Sequence, residues 1–575
     1  MTPPPAVAQR PTTTESLHDS HSARARPANI ARRTPLKQRR LRPVAPPCAL
    51  LAVLVAACCT VTLRAQGFDS GVSCGDVTHT SAVLWTRAPA AGGVTLRIAR
   101  DPEFTHILLS RSVNSSLDRD RTLSEFVDGL SPRTRYWYAF EAEGDSQRSP
   151  VGTFRTAPSP EDVAPLRFVF SGDSNYASAP MIAFDAIARE DADLFLWFGD
   201  TIYADVPSGG LGVAQTLDDY RRKYAQMLGD SSVQAALAAL PLVVGWDDHE
   251  LFNDYAGADP LLSRARRDAA YRAFFEYLPI SPASEPTDPF RTYRRMRFGA
   301  TAEFFLLDGR QYREPSAAAD CGGAVDPQGF VGGPLLRDGD CSDSLDDPRT
   351  MLGSKQLEWL LAGLRESTAK VKFIVNNVPM TYLGVAPYDR WDGYDRERRM
   401  ILHFIDSNAI SGVVILTTDI HANLYNPDVT HFFRRQRPEY GLRGRVRIPE
   451  LIVGPIGNET ARQSADEVVS GLIGAPRAGV FAGFAESAFA ALITSANRLQ
   501  LVEPNRVGYA VIEVNAAGEV SFRLRGAAPE RLVEGGSAVG DYYSAKLDAP
   551  APPPCFLLPM LALAPLALLR RPRQA

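Results

Sequence analysis

Four short segments carry the residue types that metal-assisted hydrolysis needs. They are Phe170-Ser171-Gly172-Asp173-Ser174-Asn175-Tyr176, Phe198-Gly199-Asp200-Thr201-Ile202-Tyr203-Ala204-Asp205, Gly245-Trp246-Asp247-Asp248-His249-Glu250 followed by Asn253 and Asp254, and Leu416-Thr417-Thr418-Asp419-Ile420-His421-Ala422-Asn423. In each, an apolar run leads into carboxylate with His or Tyr nearby. One Gly-Asp after an apolar run is ordinary turn chemistry. Four that converge would repel one another, and bound cations relieve that repulsion. Oxygen donors with little imidazole favour hard cations such as Ca²⁺, Mn²⁺ or Fe³⁺. Only six His lie beyond residue 66, and two of them, His249 and His421, fall in these segments. No Gly-x-Ser-x-Gly elbow and no P-loop pattern supplies an alternative nucleophile or phosphate cradle.

The elements that would position these segments read as α/β. Strand-like runs at Arg167–Ser171, Leu194–Gly199, Leu242–Trp246, Ala302–Leu307, Val371–Asn376 and Gly412–Thr417 alternate with helical segments. The helices are expected over Tyr220–Leu228, Arg264–Tyr277, Ser354–Leu364 and Arg396–Ser407. In open α/β sheets ligands bind at the carboxyl ends of strands, where all four segments fall. Residues 67–157 differ, with short β-branched strands and few titratable groups. The Ser-Pro turn and alternating aromatics of Gly129–Tyr138 resemble a fibronectin type III sandwich, and Ala157–Pro165 reads as a Pro-rich linker. A spacer or packing role is expected of this module.

Taken in order, Gly199-Asp200-Thr201-Ile202-Tyr203, Trp246-Asp247-Asp248-His249-Glu250 and Asp419-Ile420-His421 resemble the alkaline phosphatase D (PhoD-like) metallophosphatases of the calcineurin-like superfamily. Met351-Leu352-Gly353 with Gln356 and Trp359, Glu450–Pro455, and Gly508-Tyr509 agree with that pattern. The resemblance covers roughly residues 67 to 525. It implies a two-sheet metallophosphatase sandwich flanked by helices, spanning 166–530, after an all-β fibronectin type III-like domain at 67–157. It implies metal ligation by Asp173, Tyr203, Asp248, Asp419 and His421, with Asp200 bridging two ions. His249 becomes the catalytic residue, and Asn253 and Asn377 the substrate contacts. The Gly-Asp-x-x-Tyr pattern also resembles purple acid phosphatases, where the Tyr binds Fe³⁺. Fe³⁺ with Ca²⁺ is the expected metal pair, and zinc is disfavoured because the donors are poor in nitrogen. Departures are visible. Asp173 stands where several relatives have Cys, Asn175 and Asn376-Asn377 where many have His, and Asp419 where the wider superfamily often has His. Arg310 and Arg390 are assigned to surface salt bridges, with phosphate contact as the alternative.

The expected function is hydrolysis of phosphate esters by metal-activated water. A phosphodiesterase or phospholipase D-type activity shares every motif. A Ca²⁺-stabilised cell-surface binding protein is the rival from another class, and it leaves His249 and Tyr203 without a reason.

The formal net charge of −4 averages unlike regions. Residues 1–66 carry ten basic and two acidic side chains, and 551–575 add three Arg, so residues 67–550 hold a net of −15. An acidic body argues against sequence-independent nucleic-acid binding, which needs Lys and Arg to displace counterions. Residues 1–66 read as an export region, with Arg32-Arg33-Thr34-Pro35-Leu36-Lys37 resembling a twin-arginine signal and Cys48–Leu63 as its apolar core. Twin-arginine and Sec export both fit, as does cleavage after Ala65 or at Cys58. Residues 549–575 read as a Pro-rich linker and an apolar sorting or anchoring tail. These ends place the protein in the periplasm, at the cell surface or outside the cell, with the envelope as partner. Cys321 and Cys341 are paired as a bridge, and Cys74 is expected to be buried.

Overall fold

The computed structural model describes residues 67–547, apart from 145–146, 260–261, 282–285, 316–347, 384–388, 467–493, 495, 530 and 532–538. The export region, the C-terminal tail and the Cys321–Cys341 pairing lie outside the described residues. Among the described residues, no helix is long and apolar enough to cross a membrane.

The first seven strands are β1 (Val72–Gly75), β2 (Ala82–Arg87), β3 (Gly92–Ala99), β4 (Ile107–Ser115), β5 (Thr122–Val127), β6 (Arg135–Ala142) and β7 (Gly152–Arg155). β1, β2 and β5 face a four-stranded sheet of order β4-β3-β6-β7. Alternating residues of both layers, among them Cys74, Leu84, Leu96, Ile98, Tyr136, Tyr138 and Phe154, form one core. The Ser-Pro turn is tied to its strand, since Tyr136 Oη accepts the Ser131 N–H at 2.8 Å. Cys74 is buried, and burial together with Asp76 holds its thiol well above the usual range.

The body adds β8 (Leu166–Ser171), β9 (Leu194–Phe198), β10 (Leu242–Gly245), β11 (Arg294–Phe298), β12 (Ala302–Leu306), β13 (Val371–Asn376), β14 (Val413–Thr417), β15 (Asn423–Asn426), β16 (Glu450–Ile452), β17 (Leu501–Glu503), β18 (Val507–Val514), β19 (Val520–Ala527) and β20 (Gly540–Lys546). Its helices are α1 (Ile182–Ile187), α2 (Leu217–Leu228), α3 (Ser231–Ala239), α4 (Arg264–Tyr277), α5 (Gly353–Glu366), α6 (Asp395–Ser407) and α7 (Thr430–Gln436). One sheet runs β20-β19-β18-β8-β9-β10-β1-β2-β5 and the other β11-β12-β13-β14-β16-β15-β17. β8, β9 and β10 are mutually parallel, as are β12, β13, β14 and β16, so their carboxyl ends share a direction within each sheet.

Strands buried on both faces read as continuous apolar runs, and β9, β10 and β14 do so, as does β8 apart from the half-buried Arg167. Their inner faces meet between the sheets. There Phe168 of β8 packs edge-on against Phe304 of β12 and Phe373 of β13, with ring centroids 5.3 and 5.2 Å apart. α1 to α4 cover the outside of the nine-stranded sheet, and α5 to α7 the outside of the seven-stranded one. Local signals set the helix ends. α2 opens on a capping box in which Thr216 and Asp219 bond each other's backbone N–H groups.

Two features depart from the expected layout. β20 extends the nine-stranded sheet to Lys546, past residue 530. Of the spacer and packing roles expected of the N-terminal module, packing fits and a bare spacer does not, because β1 pairs in parallel with β10 and joins the nine-stranded sheet. Asp76 accepts two bonds from Arg294, at 3.0 and 2.8 Å, and one from Ser281 N at 2.8 Å. The same guanidinium donates to the Val244 carbonyl at 3.0 Å, within the strand that ends at the third motif. Both side chains are largely buried. Asp76→Ala strands Arg294 without its partner and is expected to cost roughly 3 kcal/mol, read as a lower urea midpoint.

Candidate metal centre

The centre forms where strand ends from both sheets meet. β8, β9 and β10 lead to Asp173, Asp200 and the Asp247-Asp248-His249 turn, while β12, β13 and β14 lead to Arg310, Asn377 and Asp419 with His421. Cross-sheet bonds close the junction. Thr418 Oγ1 donates to the Phe198 carbonyl at 3.0 Å, Asp419 N to Asp173 Oδ1 at 3.1 Å, and Asn377 Nδ2 to the Trp246 carbonyl at 2.5 Å.

Turning each chain sharply at a strand end places side chains in the left-handed region. Asp173, Asp200, Asp254, Asp419 and His421 have φ of 62°, 50°, 57°, 74° and 51°. Such backbone is costly for a residue with a Cβ and persists where surrounding structure holds it, as it does at functional sites. Two glycines make room. Gly199, at φ 82°, would press a Cβ to 2.8 Å from that of Asp247, and at Gly454 a Cβ would lie 2.1 Å from Asp173 Oδ2.

The ligand atoms of Asp173, Asp200 and His421 lie within 4.8 Å of one another, and so do those of Asp200, Asp248 and His249. Asp200 belongs to both sets. Tyr203 Oη is 2.9 Å from His421 Nε2, which puts the phenol beside the first set. Asp173 Oδ2, Asp247 Oδ2 and Asp248 Oδ1 are buried without a hydrogen-bond partner among the described residues. Buried carboxylate oxygens seldom stay unpaired, so this donor set fits cations. Electrostatics agree. Burial and the neighbouring carboxylates hold Asp173 and Asp200 well above the usual carboxyl range. Burial, with Asp200 and Asp173, likewise raises the Tyr203 phenol. Burial and the nearby His249 push His421 down to about 4, which keeps its imidazole neutral and able to ligate.

His249 is held from three sides. Its Nδ1 lies 2.8 and 3.0 Å from the two Asp205 oxygens, its backbone N–H donates to Asp200 Oδ1 at 3.2 Å, and its ring stacks on Tyr203 with centroids 4.0 Å apart. Burial disfavours the charged ring, but Asp205 and Asp248 outweigh it and raise His249 to about 10. Nε2 has no hydrogen-bond partner among the described residues.

The site residues expected from sequence all stand at this junction, in different company. Asn253 contributes its backbone N–H to Asp205 Oδ2 at 2.9 Å. Asn377 is fully buried and uses both ends of its amide on backbone, accepting from Gly309 N at 2.7 Å as well as donating to Trp246. It clamps the ends of β10 and β12 together. Arg310 differs from its expected surface position. It is 0% exposed and inserted among four carboxylates, because the end of β12 turns inward between the sheets. Arg390 is half-buried, its Nε 4.0 Å from Asp419 Oδ2.

Sequence reasoning passes over Asp205, Glu250 and Asp389 as functional groups. Asp205 had a signal, lying two residues past Tyr203 in the same loop. Glu250 joins two motifs: its carboxylate accepts from Thr201 N and Oγ1, both at 2.7 Å, and from Asp247 N at 3.0 Å. Asp389 has no motif around it; it pairs with Arg310 and Arg313 and brings a carboxylate oxygen within 4.8 Å of ligand atoms of Asp248 and Asp254.

Comparison with known proteins bears on this geometry. Residues 168–523 match the model of the PhoD-like phosphatase family, and residues 55–158 match that of the PhoD-like phosphatase N-terminal domain. Alkaline phosphatase D of Bacillus subtilis (strain 168) is 32% identical over 393 residues, which span 62% of this chain and 64% of that protein. Purple acid phosphatase 23 of Arabidopsis thaliana is 34% identical over 90 residues, 15% of this chain and 20% of that protein. The match thus spans less than two thirds of the length of either relative. A solved structure of PhoD superposes with a TM-score of 0.68 at 25% identity, covering 85% of this chain and 93% of that one. The purple acid phosphatase PPD1 from yellow lupin (Lupinus luteus) seeds shares the fold, with a TM-score of 0.50 at 12% identity, over 83% of this chain and 73% of that one. The motif order, the two-sheet architecture and a family match over more than half of the residues lead to one assignment: the chain belongs to the PhoD-like phosphatase family.

Proposed function

We propose that this protein is an exported phosphoric ester hydrolase whose centre is built on Asp200. The observation that carries the reading is the sharing of Asp200 between two ligand sets, beside buried carboxylate oxygens with no partner. Asp173, Asp200, Tyr203 and His421 would hold one cation, and Asp200 with Asp248 the other, with Asp419 beside Asp248 to complete its shell and His249 left for the proton. Fe³⁺ with Ca²⁺ suits these donors, since phenolate and carboxylate are hard ligands. Burial raises the Tyr203 phenol, and its ligation as a hard phenolate favours a ferric ion there. When bound, such cations supply charge for the phosphoryl oxygens and acidify the attacking water.

The chain's own groups do the rest. Asp205 holds His249 by Nδ1, so that Nε2 can carry a proton. Attack at phosphorus in line with the ester oxygen breaks the P–O bond, and the leaving oxygen takes that proton. The stacking of His249 on Tyr203 fixes the ring plane for this transfer. The three-plus-four strand arrangement of residues 72–155 supports a fibronectin type III-like module, and its link through β1 supports a role in bracing β10.

The direct test is hydrolysis of p-nitrophenyl phosphate by purified protein before and after chelation. Activity is expected to vanish on metal removal and return with Fe³⁺ and Ca²⁺. Comparison with bis-p-nitrophenyl phosphate separates monoesterase from diesterase. Phenolate ligation of iron predicts a visible charge-transfer band that Tyr203→Phe abolishes; a colourless zinc protein with full activity would contradict the iron assignment.

A further inference from the structure

We propose that Arg310 is a built-in cation of this centre, filling by a guanidinium the place that a further metal ion would otherwise take. Two other carboxylate groups come close enough to hold an ion: Asp247, Asp248 and Asp419, and Asp248, Asp254 and Asp389. Arg310 lies among them. Its Nε bonds Asp247, its Nη1 lies 3.0 and 2.9 Å from the two Asp389 oxygens, and its Nη2 lies 2.9 Å from Asp419 and 3.3 Å from Asp248. Every carboxylate of these two groups except Asp254 touches the guanidinium. Neither Asp173 nor Asp200 nor His421 does so. Arg310 therefore neutralises the side of the acidic cluster that holds Asp247 and Asp389, while Asp248 and Asp419 lie between it and the ion side that holds Asp173, Asp200 and His421.

The fit follows from guanidinium chemistry. It carries five N–H donors in a rigid plane and does not deprotonate, so its charge is present whatever the supply of metal. The position is fixed as well. The Arg310 backbone N–H donates to Asp308 Oδ1 at 3.1 Å, and the preceding Gly309 N–H to Asn377. Arg313, also buried, lies 2.5 Å from Asp389 and donates to the carbonyls of Tyr255, Asp254 and Asp389. With both guanidinium groups beside it, Asp389 is held well below the usual carboxyl range despite its burial. Asp248 and Asp419, which the proposed function assigns to an ion, are thus oriented before any ion arrives. The inference rests on that assignment only for what lies on the other side of Asp200.

The test counts Ca²⁺ bound per chain, with Ca²⁺ as the only added metal, in wild type, Arg310→Met and Arg310→Lys. Arg310→Met is expected to bind one more Ca²⁺ than wild type and to melt at a higher temperature as Ca²⁺ is added. Arg310→Lys keeps a charge in place and is expected to keep the wild-type count. An unchanged count in Arg310→Met, or a gain in Arg310→Lys, would overturn the proposal. The reading is an increment, so a wild type that binds no ion would sink the metal assignment at Asp200 and leave this question open to the same measurement. If Arg310→Met does not fold even in Ca²⁺, the variant Arg310→Met/Asp247→Asn/Asp389→Asn decides. It is expected to fold with the wild-type count, because arginine and carboxylates are neutralised together; its failure to fold would count against the proposal.

Discussion

Replacing Asp200 by Asn is expected to remove at least about 100-fold of the phosphatase activity while leaving the metal-free protein as stable as wild type or more so. Both effects come from one position. Asp200 sits in two ligand sets, so neutralising it weakens two ion sites at once. In the absence of ions its charge is a liability. Burial comes first, then repulsion from Asp248, Asp247, Glu250 and Asp173, and together they raise its carboxyl well above the ordinary value. A carboxyl with a raised folded-state pKa supports the fold while protonated and costs stability as pH rises above its unfolded value. Metal-free wild type is therefore expected to melt higher at about pH 5 than at about pH 8, and Asp200→Asn to lessen that difference. Activity assays and thermal melts of chelated protein read the two halves separately. A variant that is inactive and also less stable without metal would mean that the protein itself compensates the Asp200 charge.

His249→Gln is the second large effect, an expected loss of about 10²–10⁴ in turnover. The size depends on the leaving group, and that dependence identifies the role. A proton donor matters most when the departing oxygen is strongly basic, so an alkyl phosphate should suffer more than p-nitrophenyl phosphate. A group that stabilises only phosphoryl charge would cost both substrates equally. Asp205→Asn should reproduce the pattern in weaker form, of order 10–100-fold, because it releases the ring without removing it. Equal losses on both substrates in both variants would rule out proton donation by His249.

Legibility from sequence followed the range of the forces involved. The strands that end in the four motifs were readable within a residue or so, since a strand buried on both faces must be a short apolar run. The helix over Arg264–Tyr277 was readable to the residue. Residues 67–157 were readable as a run of short strands, but nothing local placed β1, β2 and β5 in the nine-stranded sheet. β1 pairs with β10, a parallel neighbour far away in sequence, and β2 and β5 join only through β1. The three short strands that lead into β18 left still weaker local signals.

The sequence alone determined the chemistry on offer: carboxylates, one phenol and two imidazoles at strand ends, poor in nitrogen and free of a nucleophile elbow. Its local patterns reach a few residues and report which side chains share a turn. Tertiary structure decided which of those groups share charge. Asp205 became the partner of His249, Asn377 a backbone clamp, and Arg310 a buried cation among four carboxylates. Those outcomes turn on contacts between segments up to 131 residues apart, as for Asn377 and Trp246. Coulombic and desolvation energies depend on distance in space and on burial, and the folded sheets alone fix both.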